Sequence, residues 1–286
     1  MGGLLSNPYK INEPCCISLS GGRTSAFMLY KILEVNGGMP NDCITMFANT
    51  GREMPETLDF VRDIGDHWGV PIVWLELEHL INIGDKENPR FKRIPKVVTY
   101  ETAARNGEPF KVLFDAFGAI PNRVARTCTV NLKLRTMVEY ARAQGFKSPW
   151  LQAVGLRADE PRRAAKLHHV INEGQETYCP LYVDGVTASD VGAFWERQNF
   201  DLQLPNNNGV TDWGNCDLCF LKGMRKRLSI IRERPDLADW WIESEKYKAQ
   251  QFCRNEPSYE QMKIIATTQG QLFEYDDETI PCFCGD

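Results

Sequence analysis

This sequence predicts an α/β fold, a Rossmann-like parallel sheet with helices on both faces, and three observations carry that expectation. Apolar runs of strand length alternate with helix-period segments through the first 75 residues. The connections between them are short. The strands read as nearly continuous hydrophobic stretches, the pattern of a sheet covered on both sides. With 43% hydrophobic and 25% charged residues, the 286-residue chain has the composition of an ordinary globular protein.

Cys15 to Leu19 is the first strand, and Ser20-Gly21-Gly22 is a flexible turn after it. Ser25 to Val35 carries Phe27, Met28, Tyr30, Ile32 and Leu33 at helical spacing, and Gly37-Gly38 ends that helix. Cys43 to Ala48 is a second strand, closed by Asn49-Thr50-Gly51. Pro55 opens a helix with Leu58, Val61, Ile64 and Trp68 on one face. Ile72 to Leu75 is a third strand. Such an order implies parallel strands joined by right-handed crossovers.

From Glu76 to Arg126 the alternation is lost, and the stretch reads as an insertion near the mouth of the sheet. It holds a basic run, Arg90-Phe91-Lys92-Arg93, and a partly helical segment from Tyr100 to Phe117. Asn131 to Gln144 returns to helix, and Trp150 to Gly155 is the fourth strand. Thr187-Ala188-Ser189-Asp190 has the form of a cap for a helix from Val191 to Gln198. A division follows, with an α/β domain over 1–205 and a smaller, helical, cysteine-bearing part over 206–286 packed on it.

Net charge is −5, so no global basic field advertises a nucleic-acid partner. No apolar run approaches the roughly 20 residues that span a bilayer, and the N-terminal residues lack the pattern of a signal peptide. Ten cysteines in that context point to a cytoplasmic protein with reduced, buried or metal-bound thiols. Cys15, Cys16, Cys43 and Cys179 adjoin apolar runs and read as core. Cys128, Cys216, Cys219, Cys282 and Cys284 lie in polar or turn-rich contexts and need another explanation.

The chemistry-bearing residues gather where strands end. Gly21 and Gly22 permit close backbone approach, while Ser20, Thr24 and Ser25 supply hydroxyls beside a helix N-terminus, where unpaired N–H groups favour an anion. An ordinary capped turn has the same local text. The fourth strand runs into Gly155-Leu156-Arg157-Ala158-Asp159-Glu160-Pro161-Arg162-Arg163, and guanidinium groups there suit phosphate or sulfate oxygens. Pairing of those arginines with Asp159 and Glu160 is the structural alternative. Cys216-x-x-Cys219 has the spacing at which two thiolates share a metal. Lys222, Arg225, Lys226 and Arg227, with the basic run at 90–93, either line an anion's entrance or form a solvated face.

Four of these pieces together resemble the PP-loop superfamily, and within it the phosphoadenosine phosphosulfate reductase-like family. They are Ser20-Gly21-Gly22-Arg23-Thr24-Ser25, then Asn49-Thr50-Gly51 followed by Pro55-Glu56-Thr57, then Arg126-Thr127-Cys128 with Lys133, then Gly155-x-Arg157 with Glu160 and Arg162. The resemblance spans roughly residues 14 to 235. It implies an adenine nucleotide α-hydrolase-like fold and nucleotide contacts from residues 18, 20–25, 49–51, 155, 157, 160 and 162. It further implies catalytic roles for Cys128, Lys133 and Arg157. Iron–sulfur members join a cysteine at the Cys128 position to a later C-x-x-C. That gives Cys128, Cys216 and Cys219 to a [4Fe–4S] cluster or alternatively to zinc, with either an open iron that could bind sulfide or Cys284 or Cys282 as fourth ligand. Many ATP-using members carry Asp, associated with magnesium, where Thr24 stands. The Glu-Cys-Gly-[Ile/Leu]-His segment of the sulfonucleotide reductases is absent, and Cys282-Phe283-Cys284-Gly285 stands in the tail instead.

What the resemblance implies is an ATP-dependent, pyrophosphate-releasing sulfur transfer. Its partners would be an adenine nucleotide, a sulfide or persulfide donor and an acceptor in nucleic acid or a small molecule, with a homo-oligomer possible. Reduction of a sulfonucleotide and non-catalytic nucleotide binding are the other two readings.

Overall fold

The computed structural model describes residues 7–85, 87–167, 171–207 and 209–268. Among these residues seven strands form one sheet. They are β1 (Cys15–Leu19), β2 (Cys43–Ala48), β3 (Ile72–Asn82), β4 (Phe91–Val98), β5 (Trp150–Val154), β6 (Ile171–Asn172) and β7 (Gln175–Tyr178). Their order is β4-β3-β2-β1-β5-β7-β6. The five central strands run parallel, and β4 and β6 close the edges antiparallel. This is a Rossmann-like α/β fold.

Alternation along β1 shows why its whole sequence is apolar. Cys15, Ile17 and Leu19 belong to the larger core, which includes α1 (Arg23–Asn36) and α2 (Pro55–Trp68). Cys16 points to the other face, where it packs with Met46, Leu75 and Trp150. Helix α3 (Glu108–Phe117) joins the larger core through Phe110, Leu113 and Phe114. Helix α4 (Arg135–Ala143) covers the opposite face with Met137, Val138 and Ala141. Both faces are therefore dry, as a parallel sheet requires.

The lost alternation after Glu76 resolves into a hairpin. Strand β3 continues seven residues past Leu75 and folds back as β4, with a register shift between Leu77 and His79. Glu76 does not end the strand because its carboxylate is satisfied inside, accepting from Asn49 Nδ2 at 2.6 Å and the Ala104 amide at 2.7 Å. The expected partial helix over Tyr100 to Phe117 occupies only α3, and the helix expected from Asn131 begins at Thr129 with a π-helical segment, Thr129–Leu134.

Beyond β5 come α5 (Pro161–Leu167), α6 (Pro180–Val183) and α7 (Ala188–Trp195), the last opened by a Thr187–Asp190 capping box. Helices α8 (Met224–Glu233), α9 (Ala238–Lys248) and α10 (Tyr259–Thr268) follow. They share the larger core: Trp241 packs on Phe252 and Tyr259 and approaches Phe110 edge-on. No helix among the described residues is long and apolar enough to cross a membrane.

Candidate functional site

The strand order reverses at β1, because β2 and β3 lie to one side and β5 and β7 to the other. In open α/β sheets that reversal leaves a crevice beyond the carboxyl ends of the strands. A cavity of about 270 Å³ lies there, on the α4 side. Ser18, Ser20 and Ser25 wall one end with Gly155, Lys133 lies across it, and Ala48, Leu134, Met137 and Val154 supply apolar surface.

The loop at Ser20 is held by its own hydroxyls. The Ser20 amide donates to Ser25 Oγ at 3.0 Å, the two serine hydroxyls are 2.8 Å apart, and Ser25 Oγ donates to the Gly22 carbonyl at 3.0 Å. Gly21 has φ +83° and faces Thr57 so closely that a Cβ would fall 2.5 Å from its methyl. Helix α1 starts at Arg23 with no side-chain cap and no acidic residue in its first turn. Its N-terminus is therefore favourable to an anion.

The arginines of this region are already engaged. Arg23 turns its guanidinium away from the loop, giving Asp201 two bonds of 2.7 and 2.6 Å and the Leu204 carbonyl one of 3.1 Å. What Arg23 offers the loop is its backbone. Arg157 is buried and donates to Thr24 Oγ1 at 3.0 Å and to Asp159 at 2.9 Å. Glu160 accepts from the Arg157 amide at 3.1 Å and pairs with Arg163, whereas Arg162 is exposed. Arg157 thus braces α1 against the loop after β5.

Asn49, Thr50 and Gly51 form the neighbouring turn and face a different partner. Asn49 is fully buried, bonding Glu76, the Ala104 carbonyl and the Gly51 amide. Thr50 Oγ1 donates to Glu53 at 3.1 Å and lies 3.3 Å from Cys216 Sγ. Glu53 pairs with Cys216 in an isolated β-bridge, and the Asp217 amide donates to the Arg52 carbonyl. Asp217 also forms an ion pair with Arg52, and Trp241 Nε1 donates to it at 2.8 Å.

This docking brings the C-x-x-C loop to Cys128 and Lys133. All three thiols are buried. Burial is the main reason their pKa values are raised, to about 12 for Cys128 and well above the usual thiol range for Cys216. Cys219 lies near enough to both others to act on them electrostatically. Burial alone pulls the Lys133 pKa down, but Glu53, 3.1 Å away, and the thiols outweigh it and hold the ammonium above its ordinary value.

Lys133 therefore links the cavity to the thiols through Glu53 and Thr50. By donor chemistry the trio suits a soft metal. Among the described residues, however, no three His, Cys, Asp or Glu groups come together in a form that could hold an ion. Cys282 and Cys284 lie outside the described residues.

Glu53 was not singled out in the sequence, although it sits within the second motif. Only its pairing with Cys216, far along the chain, reveals it. Gln152, whose amide donates to Ser18 Oγ at 2.6 Å, was likewise missed as a cavity residue. The basic residues of the C-terminal part are mostly braces. Arg227 is fully buried against Glu256, Lys222 donates to the Gly214 carbonyl at 2.5 Å, and Lys226 pairs with Asp212.

Fold and crevice define an α/β protein with a Rossmann-like sheet and a site at its switch point. Two proteins are similar to the chain. The chain is similar to the Uncharacterized nin region protein ORF290 of Escherichia phage lambda, 29% identical over 210 residues, covering 73% of this chain and 67% of that protein. It is also similar to the Uncharacterized protein MJ0066 of Methanocaldococcus jannaschii, 36% identical over 245 residues, or 84% of this chain, yet spans only 43% of that relative. No family model matches the chain.

Proposed function

We propose that this chain is a PP-loop enzyme of the phosphoadenosine phosphosulfate reductase-like family that binds ATP and transfers sulfur to an adenylated acceptor. The observation that carries the reading is the switch-point cavity, lined together by Ser20 and Ser25 of the hydroxyl-braced loop and by Lys133. The N-terminal amides of α1 would hold the phosphates, and Lys133 would offset charge developing on them. The apolar surface of Ala48, Met137 and Val154 suits a purine ring.

An acceptor oxygen then attacks the α-phosphorus, and the bond to the pyrophosphate leaving group breaks. Attack of sulfur on the activated carbon displaces AMP. Magnesium is assigned to the phosphates, with no side-chain ligand at Thr24, whose hydroxyl already accepts from Arg157. Cys128, Cys216 and Cys219 are the residues that would hold a [4Fe–4S] cluster, and an iron left without a fourth cysteine would supply a place for sulfide. Because the trio is not gathered into an ion-holding group, no step is derived through it.

Incubation of anaerobically purified protein with ATP, sulfide and nucleic acid should release pyrophosphate. Lys133→Ala should lower that release by about tenfold or more, the loss of one charge-assisted contact. Silence under all these conditions overturns sulfur transfer, and nucleotide binding without turnover would leave a binding protein. An anaerobic absorption spectrum with iron and zinc analysis decides the metal: iron with broad visible absorption is expected, and zinc alone would replace the cluster.

A further inference from the structure

At the opposite end of the sheet, Cys15 and Cys43 are register partners on adjacent parallel strands. Such partners project from the same face, and strands lie about 4.8 Å apart. That separation falls inside the roughly 4.4–6.8 Å between Cα atoms that a disulfide accepts. The Cys15 thiol donates to the Cys16 carbonyl oxygen at 3.6 Å, and the Cys43 thiol is close enough to act on it electrostatically. Cys15 has no exposed surface, while Cys43 is partly exposed at the start of β2.

We propose that Cys15 and Cys43 are a peroxide-sensitive thiol pair that oxidises to a reversible disulfide. Cys43 is the sulfur that meets the oxidant and Cys15 the resolving partner. The adjacent Cys15 thiol lowers the Cys43 pKa, while the Cys15 pKa is raised by Cys43 and by burial. Low pKa, access and an adjacent second thiol are the properties of redox-sensing cysteines. Cys16, Cys179 and Cys253 are pushed the other way by burial, to about 12, 11 and 11.

The chemistry balances with hydrogen peroxide as oxidant. The Cys43 thiolate attacks one peroxide oxygen, the O–O bond breaks, and hydroxide leaves a sulfenic acid. The Cys15 sulfur then attacks the Cys43 sulfur. The S–OH bond breaks, and the hydroxyl departs as water with the Cys15 proton. A dithiol reductant restores both thiols by thiol–disulfide exchange and leaves as its own disulfide. This inference is independent of the nucleotide reading.

The test treats the reduced full-length chain with peroxide, alkylates remaining thiols and maps the peptides. A Cys15–Cys43 linked peptide that disappears with dithiothreitol is expected. Cys15→Ser should leave a Cys43 sulfenic acid that dimedone captures, and Cys43→Ser, at a partly exposed position, should abolish the link while circular dichroism stays native. Full alkylation of Cys43 after peroxide, a persistent sulfenic acid in the parent chain, or linkage of either residue to another cysteine would overturn the proposal.

Discussion

Gly155→Ala should weaken nucleotide binding at least about tenfold and cost about 1–3 kcal/mol of stability, the range for overpacking a filled site. The added methyl would stand 2.8 Å from Ser25 Cα and 3.1 Å from its amide nitrogen. Those atoms are backbone and cannot swing aside as a side chain could. Relief must come from separating the end of β5 from the first turn of α1, the same contact that forms the cavity's end wall. Titration calorimetry with a non-hydrolysable ATP analogue, paired with thermal unfolding, measures both effects. Unchanged affinity in a folded variant would place the nucleotide elsewhere.

Asp217→Ala should be the most destabilising single change near the thiols, by about 3–5 kcal/mol, the cost of breaking a buried ion pair from one side. Asp217 is nearly inaccessible, and burial lifts its pKa despite the adjacent Arg52 charge. Its loss strands the Arg52 guanidinium, which otherwise rests over the Trp240 ring, and removes the acceptor for Trp241 Nε1. Urea denaturation reads the stability change. Faster alkylation of Cys216 and Cys219 in the folded variant is expected as well, because the loop loses its anchor to the turn after β2. Equal stability in parent and variant would contradict the clamp.

What could be read from the sequence was local. Strands β1, β2 and β5 are short apolar runs, and the Ser20 loop carries glycine where φ is +83°, so each is written in its own few residues. Strand β7 was not anticipated because Gln175-Glu176-Thr177-Tyr178 is short and polar. It pairs with β5 all the same and lends Gln175 and Thr177 to the cavity wall. Proximity in sequence also grouped Arg23 with Ser25, but neighbouring helical residues point in different directions. Arg23 accordingly leaves the loop for Asp201. The role of Glu53 depends on a strand-like pairing with Cys216, and no local pattern encodes such a contact.

The brace from Arg157 to Thr24 joins residues 133 positions apart, and that from Gln152 to Ser18 spans 134. The crevice is therefore a high-contact-order feature, assembled from segments made early and late in synthesis. Closing so long a loop must precede any reward from the contact. A chain that has emerged only through β3 has the serine loop but not its opposing wall. Occupancy of the cavity thus depends on a finished topology, and a ligand that fills it would stabilise only the completed fold.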